Sequence, residues 1–201
     1  MNNTAIIILA AGSSSRFGSI KQLLHFHNKT LLQHAIDEAT ASGAGPVIVI
    51  TGANAEAVLK EINIQQVQVI FNDHWEEGMA SGIVAGMQAA ITYNNNIEKV
   101  IIAVCDQPFI SSSLFKELYQ TQENNTQHIV AAAYANTTGT PVLFTQKYFD
   151  ALLGLKGNEG AKKILQLNAA DVATVDFPQG NIDIDTREDY KLLLDGQKHI
   201  L

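Results

Sequence analysis

The chain of 201 residues is 46% hydrophobic and 16% charged, which is typical of a globular protein and excludes an extensively disordered one. Its formal net charge of −7 argues against unspecific binding to nucleic acid or to an acidic membrane surface, but it leaves room for a local basic pocket that binds a small anion. The length predicts one domain spanning residues 1–201, and the single cysteine excludes an internal disulfide and fits a reducing compartment.

Short apolar runs alternate with amphipathic stretches along the chain. The runs are β-branched or apolar at successive positions, as in strands covered on both faces, and comprise AIIILA (5–10), PVIVIT (46–51), VQVIF (67–71), KVIIAV (99–104) and HIVAAA (128–133). Apolar spacing of three and four predicts helices over 31–44, 54–62, 78–91, 111–122 and 187–194. The alternation predicts the α/β class: a Rossmann-like, three-layer, doubly wound and mostly parallel sheet.

The loop after the first strand reads LAAGSSSRFGSIK and is made almost entirely of small and polar residues. It matches neither the P-loop nor the dinucleotide-binding glycine pattern, because Lys21 comes too late and the glycines are wrongly spaced. Small residues allow backbone amides to approach an anion closely, and Arg16 and Lys21 would add two cations. The loop is therefore either a phosphate-binding site or an ordinary turn.

The acidic residue Asp106 directly follows the fourth apolar run, in CDQP. In a doubly wound sheet, ligands bind at the carboxyl ends of the strands, so this carboxylate is well placed for a site. Mg²⁺ typically takes one or two carboxylates together with phosphate oxygens. The alternative is that Asp106 caps the helix that follows Pro108.

A second acidic cluster occurs late in the chain, in NIDIDTREDY. Asp183 and Asp185 alternate with isoleucine, so on an extended segment they point to one side. They form either a solvated edge or, if Asp185 lies near Asp106, a pair that holds a cation. Thr186 and Asp189 predict a capping box at the start of the last helix.

The stretch WEEGMASG opens the third predicted helix, and its free amides suit an anion or a sugar hydroxyl as well as a simple glycine N-cap. His25 and His27 indicate a small hairpin and not a metal pair, because no further spaced ligands appear. Cys105 is interpreted as a buried packing thiol.

Taken together and in this order, the motifs resemble those of the nucleotidyltransferase family that includes the molybdenum cofactor cytidylyltransferases. The resemblance covers almost the whole chain and rests on LAAGSSSRFGSIKQLL, ITGAN, NDHWEEGMASGI, CDQPFI, GTPVLF, GNEGAKKIL and DIDTREDY. It implies the fold of the nucleotide-diphospho-sugar transferases. Related guanylyltransferases usually carry a second glycine where this chain has Ala11, which favours CTP. In GNEGAKKIL, Asn158 and Lys162 replace the aspartate and arginine that are common in such proteins.

The resemblance implies a reaction and a role for each candidate residue. A phosphate oxygen of molybdopterin would attack the α-phosphorus of CTP, and pyrophosphate would leave. Asp106 and Asp185 would hold Mg²⁺, while Arg16 and Lys21 would stabilise the departing pyrophosphate, so these four are the predicted catalytic residues. The predicted nucleotide-binding residues are Leu9, Ala10, Ala11, Gly12, Ser13, Asn72, Gly78, Met79 and Ser81.

Two other functions stay open beside this hypothesis. The acceptor could be another phosphate, such as a sugar phosphate, or the protein could be a non-catalytic carrier that hands finished cofactor to a molybdenum hydroxylase.

No segment approaches the ~20 apolar residues that span a bilayer, and we expect no signal peptide. We therefore expect a cytoplasmic protein with no nucleic-acid or membrane partner.

Overall fold

The computed structural model describes residues 3–14 and 17–198. The strands within these ranges are β1 (Thr4–Leu9), β2 (His25–Phe26), β3 (Lys29–Thr30), β4 (Val47–Thr51), β5 (Gln68–Phe71), β6 (Lys99–Val104), β7 (Ile129–Tyr134), β8 (Thr137–Thr145) and β9 (Val172–Asp176). The helices are α1 (Leu31–Ser42), α2 (Ala55–Glu61), α3 (Met79–Tyr93), α4 (Ser112–Asn124), α5 (Phe149–Leu153), α6 (Ala161–Leu167) and α7 (Arg187–Lys198).

Seven strands form one sheet in the order β5-β4-β1-β6-β8-β7-β9. Strands β5, β4, β1 and β6 are mutually parallel, β8 runs antiparallel to both β6 and β7, and β9 is parallel to β7. The predicted mostly parallel, doubly wound sheet is therefore confirmed. The predicted hairpin around His25 and His27 is also present, as the β2–β3 pair.

Helices cover the sheet on both faces because successive strand residues point to opposite sides. On β1, Ile6 and Ile8 pack with α1, α2 and α4, whereas Ile7 packs with α3, α5 and α6. All three isoleucines are fully buried, which explains why the strand is apolar at successive positions from Ala5 to Leu9 and not at every second one.

Side chains cap the starts of α4 and α7. The Ser111 hydroxyl accepts a hydrogen bond from the Leu114 amide (3.3 Å) at the start of α4. The Thr186 amide donates to an Asp189 carboxylate oxygen (2.7 Å), and the Asp189 amide donates back to the Thr186 hydroxyl (3.2 Å), so the predicted capping box is confirmed. No helix in the described part of the chain is long and apolar enough to cross a membrane.

Candidate active site

A cavity of about 430 Å³ lies at the carboxyl ends of β1 and β6, beside the start of α3. Most of the predicted nucleotide-binding residues line it, together with Lys21 and Asp106. The cavity wall consists of Leu9, Ala10, Ala11, Gly12, Ser13, Lys21, Gln22, Trp75, Glu76, Gly78, Met79, Gly82, Val104, Cys105, Asp106 and Asn158.

The ammonium group of Lys21 joins the two predicted acidic residues. Its Nζ donates to Asp106 Oδ2 at 2.5 Å and to Asp185 Oδ1 at 2.9 Å. Because both oxygens bond to the same nitrogen, the two carboxylates lie close together, although the residues are widely separated in sequence. Asp106 is an ion-pair partner at the cavity, and the cap of α4 is supplied by Ser111 instead.

The electrostatics of this cluster favour a charged lysine. Burial alone would lower the pKa of Lys21, but the charges and hydrogen bonds of Asp106 and Asp185 outweigh burial and raise the pKa above its usual range. Asp183 makes no hydrogen bond to Lys21 and lines a separate cavity of about 610 Å³ against α7. Burial, followed by the nearby charges of Asp185 and Asp106, raises the pKa of Asp183.

Asp185 reaches Lys21 because its neighbour Ile184 is anchored. The Ile184 amide donates to the Asp106 carbonyl oxygen (3.0 Å), and the Ile184 side chain is fully buried. It packs in a small cluster with Phe26 of the β2–β3 hairpin and Leu193 of α7. Packing at this end of the chain therefore fixes the position of the second carboxylate.

The glutamine after Lys21 holds the shape of the first loop and was not singled out by the sequence analysis. Gln22 is only 1% exposed, and its Nε2 donates to the carbonyl oxygens of Ala10 (3.0 Å) and Gly12 (2.8 Å). Its Oε1 accepts from the Ser14 hydroxyl at 3.0 Å. In a trans peptide the N–H points opposite to the carbonyl, so the amides of Ala11 and Ser13 are directed away from Gln22.

Two of the predicted nucleotide-binding residues do not line this cavity. Asn72 Nδ2 donates to the Ser81 hydroxyl (2.8 Å), and that hydroxyl donates to the Gly78 carbonyl oxygen (2.9 Å). Asn72 Oδ1 also accepts from the His74 amide at 3.1 Å. These bonds tie the end of β5 to the start of α3, so the geometry gives both residues a structural part, and their contact with a nucleotide stays a prediction.

Four further wall residues were not predicted: three lie in the WEEGMASG stretch beside predicted residues, and one comes from a separate segment. Trp75 and Glu76 precede α3, and Gly82 lies within it. Asn158 reaches the cavity because the Gly157 carbonyl accepts a hydrogen bond from the Ala80 amide (3.0 Å), which joins this segment to α3. The departure from the family pattern at position 158 was the available signal, but sequence alone does not bring that position to the loop.

The remaining predicted residues have different outcomes. Arg16 lies outside the described residues. Cys105 is buried, as predicted, and burial, together with the Asp106 charge, raises the pKa of its thiol to about 12.

Within the described ranges, no three His, Cys, Asp or Glu side chains are grouped closely enough to hold a metal. The cluster at the cavity offers two such side chains, Asp106 and Asp185.

The chain matches a known protein family. Residues 6–174 match the family described as the MobA-like NTP transferase domain. Nicotine blue oxidoreductase of Paenarthrobacter nicotinovorans is 30% identical over 199 residues, which cover 93% of this chain and 95% of that protein. A probable molybdenum cofactor guanylyltransferase of Bacillus cereus (strain G9842) is also 30% identical, over 94% of this chain and 95% of its own length.

Solved structures share the fold. Rv0371c of Mycobacterium tuberculosis H37Rv superposes with a TM-score of 0.83 at 26% identity, covering 96% of this chain and 98% of that one. Another structure of Rv0371c, at a TM-score of 0.77 and 24% identity, is a complex with manganese and covers 96% of this chain and 99% of that one. The predicted fold of the nucleotide-diphospho-sugar transferases is therefore confirmed.

Proposed function

This chain belongs to the MobA-like NTP transferase family and is a nucleotidyltransferase, and we propose that it transfers CMP from CTP to the phosphate of molybdopterin, with release of pyrophosphate. The observation that carries the proposal is the contact of Lys21 with both Asp106 and Asp185 at a cavity walled by the small-residue loop. We further propose that the reaction takes place in the cytoplasm and that a molybdenum hydroxylase receives the product.

The first loop binds the triphosphate. Its residues are small, and Gln22 holds the carbonyl oxygens of Ala10 and Gly12, so the amides of Ala11 and Ser13 are left to donate to phosphate oxygens. Lys21 then adds a full positive charge beside the leaving pyrophosphate, as Arg16 would in the same loop. Preorganised donors of this kind stabilise charge that grows in the transition state.

The two carboxylates suit a divalent ion. Asp106 and Asp185 already share one cation, the Lys21 ammonium, so the cluster is built to hold positive charge. Mg²⁺ is usually bound by one or two carboxylates with phosphate oxygens and water as the other ligands, which matches this donor set. When bound, Mg²⁺ would polarise the α-phosphate and neutralise its charge. The manganese complex of Rv0371c supports a divalent ion in this family, and Asp185 suits it better than Asp183 because only Asp185 contacts Lys21.

The proposed transfer does not require a general base from the protein. A phosphate oxygen of the acceptor forms a bond to the α-phosphorus, and the bond from that phosphorus to the bridging oxygen of the β-phosphate breaks. The electron pair leaves with pyrophosphate. Because the attacking oxygen is already anionic, the chain has to supply orientation and charge, and no proton transfer is needed.

The choice of CTP rests on Ala11. This residue lines the cavity at the position where related guanylyltransferases usually carry a second glycine. The guanylyltransferase name of the Bacillus relative makes GTP the nucleotide against which CTP must be tested.

The name of the Paenarthrobacter relative describes a redox reaction of that protein. We do not transfer that activity to this chain, because its first loop lacks the G-x-G-x-x-G pattern and its cysteine is a buried, protonated thiol. The carrier function is also less well supported, since carriage alone does not require Lys21 and two carboxylates at one cavity.

The test is to incubate the purified protein with Mg²⁺, molybdopterin and each of the four nucleoside triphosphates, and to follow pyrophosphate and the dinucleotide product. We expect product with CTP. Product only with GTP would refute the choice of nucleotide. Turnover with sugar or polyol phosphates but not with molybdopterin would refute the acceptor, and tight cofactor binding without pyrophosphate release would favour a carrier.

A further inference from the structure

Gln107 directly follows Asp106 and joins three segments of the chain. Its side chain is only 4% exposed, and its Nε2 donates to the carbonyl oxygens of Thr140 (3.1 Å) and Gly180 (2.9 Å). Thr140 belongs to β8, and Gly180 lies in the short 3₁₀ turn Pro178–Asn181 that follows β9. One amide group therefore connects the carboxyl end of β6 with a neighbouring strand and with a turn that is distant in sequence.

The Gly180 turn leads into the segment that carries the second carboxylate. Beyond the turn, the Ile184 amide donates to the Asp106 carbonyl oxygen (3.0 Å), and Asp185 is the next residue. The segment is thus held at two points by consecutive residues, since the Gln107 amide holds the turn and the Asp106 backbone holds Ile184. The position of Asp185 relative to Asp106 depends on both contacts.

The turn fits closely against two aromatic rings. A Cβ atom at Gly180 would overlap the rings of Tyr134 and Phe177, so a larger residue would force the turn to move. The two rings pack edge-on, with their centroids 6.2 Å apart. The rings therefore set how closely the turn packs on the sheet, and the Gln107 amide fixes the direction of the Gly180 carbonyl.

The Asp185 carboxylate depends on this support because its own surroundings restrain it little. Its side chain is 48% exposed, against 19% for Asp106. A carboxylate that is half exposed is placed mainly by the backbone that carries it. That backbone belongs to the segment that Gln107 holds.

Fold stability alone does not account for a glutamine at this position. Within the described part of the chain, Gln107 Oε1 is buried and accepts no hydrogen bond. A buried acceptor without a partner costs free energy, which offsets part of what the two Nε2 bonds contribute. The amide is therefore better explained by the segment that it holds in place.

We propose that Gln107 is a positioning residue that keeps the Asp185 carboxylate beside Asp106, where the two carboxylates can share a divalent ion. This inference rests on the proposed nucleotidyl transfer and adds to it a residue that acts through Asp185. Gln107 does not line the nucleotide cavity, so we assign it no contact with CTP. Residues behind metal ligands set metal affinity in this way, because they fix the orientation of the ligand itself.

The test is a double-mutant cycle in Mn²⁺ binding, which needs neither nucleotide nor acceptor. Gln107→Met keeps the approximate size of the side chain and removes its amide, and Asp185→Asn replaces the carboxylate with a weaker, neutral ligand. Gln33→Met is the matched control, because the Gln33 amide also makes two hydrogen bonds, to Asp37 (2.7 Å) and from Asn63 (2.8 Å), outside the nucleotide cavity. Electron paramagnetic resonance of free Mn²⁺ gives the dissociation constants of the wild type, the single variants and the double variant, and urea denaturation verifies each fold.

For Gln107→Met we expect the Mn²⁺ dissociation constant to rise about tenfold, as is usual for a residue that orients a metal ligand. In the Asp185→Asn background the same change should raise it less than about threefold, because the carboxylate through which Gln107 acts is gone. Gln33→Met should bind Mn²⁺ like the wild type. A residue that only stabilises the fold would weaken binding by the same factor in both backgrounds. Equal factors, or wild-type affinity in Gln107→Met, would overturn the inference.

Turnover separates this inference from the proposed function. At Mg²⁺ concentrations that saturate the wild type, Gln107→Met should lower kcat about tenfold and leave KM for CTP within about twofold. If the wild type binds Mn²⁺ but forms no product from CTP and molybdopterin, the proposed function fails, while the cycle in Mn²⁺ binding still decides the part played by Gln107. If the wild type binds no Mn²⁺, the inference is overturned, and the release of pyrophosphate still decides the function.

Discussion

Strands β1, β4 and β5 are parallel neighbours, whereas β8 runs antiparallel to β6 and β7 in the other part of the sheet. We call the first group the nucleotide half and β6–β9 the acceptor half, after the substrates that we propose bind beside them. Each half uses a buried glutamine to fix the backbone beside its site. Gln22 binds carbonyls 12 and 10 residues away, while Gln107 binds carbonyls 33 and 73 residues away. The backbone that the glutamine holds is therefore close to it in sequence in the nucleotide half and distant in the acceptor half.

The strongest test of this comparison is at the junction of the halves. We expect Lys21→Ala and Asp106→Ala each to lower kcat about 10²- to 10³-fold, the range typical of losing one preorganised group. Circular dichroism should show an intact fold in both variants. Lys29→Ala is the control, because Lys29 pairs with Asp37 outside the cavity. Turnover close to wild type in both variants would remove the proposed site.

Gln22→Leu should damage the nucleotide half alone. The change leaves the carbonyls of Ala10 and Gly12 without their donor, so we expect KM for CTP to rise about tenfold and the free energy of unfolding to fall by about 1–3 kcal/mol. KM for the acceptor should not move. Gln33→Leu removes an amide that bonds to Asp37 instead and serves as the control. Steady-state kinetics and urea denaturation measure the two effects, and a parallel rise in both KM values would contradict the division into halves.

Lys21→Gln should reveal competition between the ammonium and a metal ion. Without nucleotide, Lys21 pairs with both carboxylates and offsets part of their charge, so its removal should tighten Mn²⁺ binding, on the order of tenfold, within the range usual for coupled ligands. Electron paramagnetic resonance of free Mn²⁺ measures this without turnover. Lys29→Gln should bind Mn²⁺ like the wild type. Unchanged affinity in Lys21→Gln would mean that the ion does not use this pair of carboxylates.

The smallest expected effect is on acid stability in the acceptor half. Burial would raise the pKa of Asp171, but bonds from Lys147, Tyr148 and the His128 amide lower it from 3.8 to about 2. The resulting stabilisation is present above pH 3.8 and is lost as the pH falls towards 2. Urea denaturation between pH 4.5 and 2.5 should therefore show a steeper loss for the wild type than for Asp171→Asn. Parallel curves would contradict this assignment.

The sequence predicts the two halves unequally well. The five apolar runs became β1, β4, β5, β6 and β7. Strands covered on both faces are apolar at successive positions, and the partly covered edge strand β5 still keeps most of that pattern. Strands β8 and β9 were not identified. In β8, Gly139 and Pro141 interrupt the apolar pattern, and α5 and α6 are too short to show a helical period.

The residues of the candidate site also differ in how well the sequence predicts them. Lys21 and Asp106 follow apolar strands directly or within one loop, so their meeting at one sheet edge follows from strand order. Gln22 and Asn158 were missed because their positions depend on backbone contacts that no local pattern records. Asn72 and Ser81 lie in the predicted motifs, yet they bond to each other and line a neighbouring cavity.

The partner that Lys21 finds in Asp185 is 164 residues further along the chain. A ribosome that has released residues 1–150 has already delivered the triphosphate loop, Lys21 and Asp106, but neither the second carboxylate nor the isoleucine that anchors it. The cavity is also incomplete at that stage, because Asn158 of its wall has not yet been made. Catalytic competence arises late in synthesis, once the segment around Ile184 packs against the hairpin.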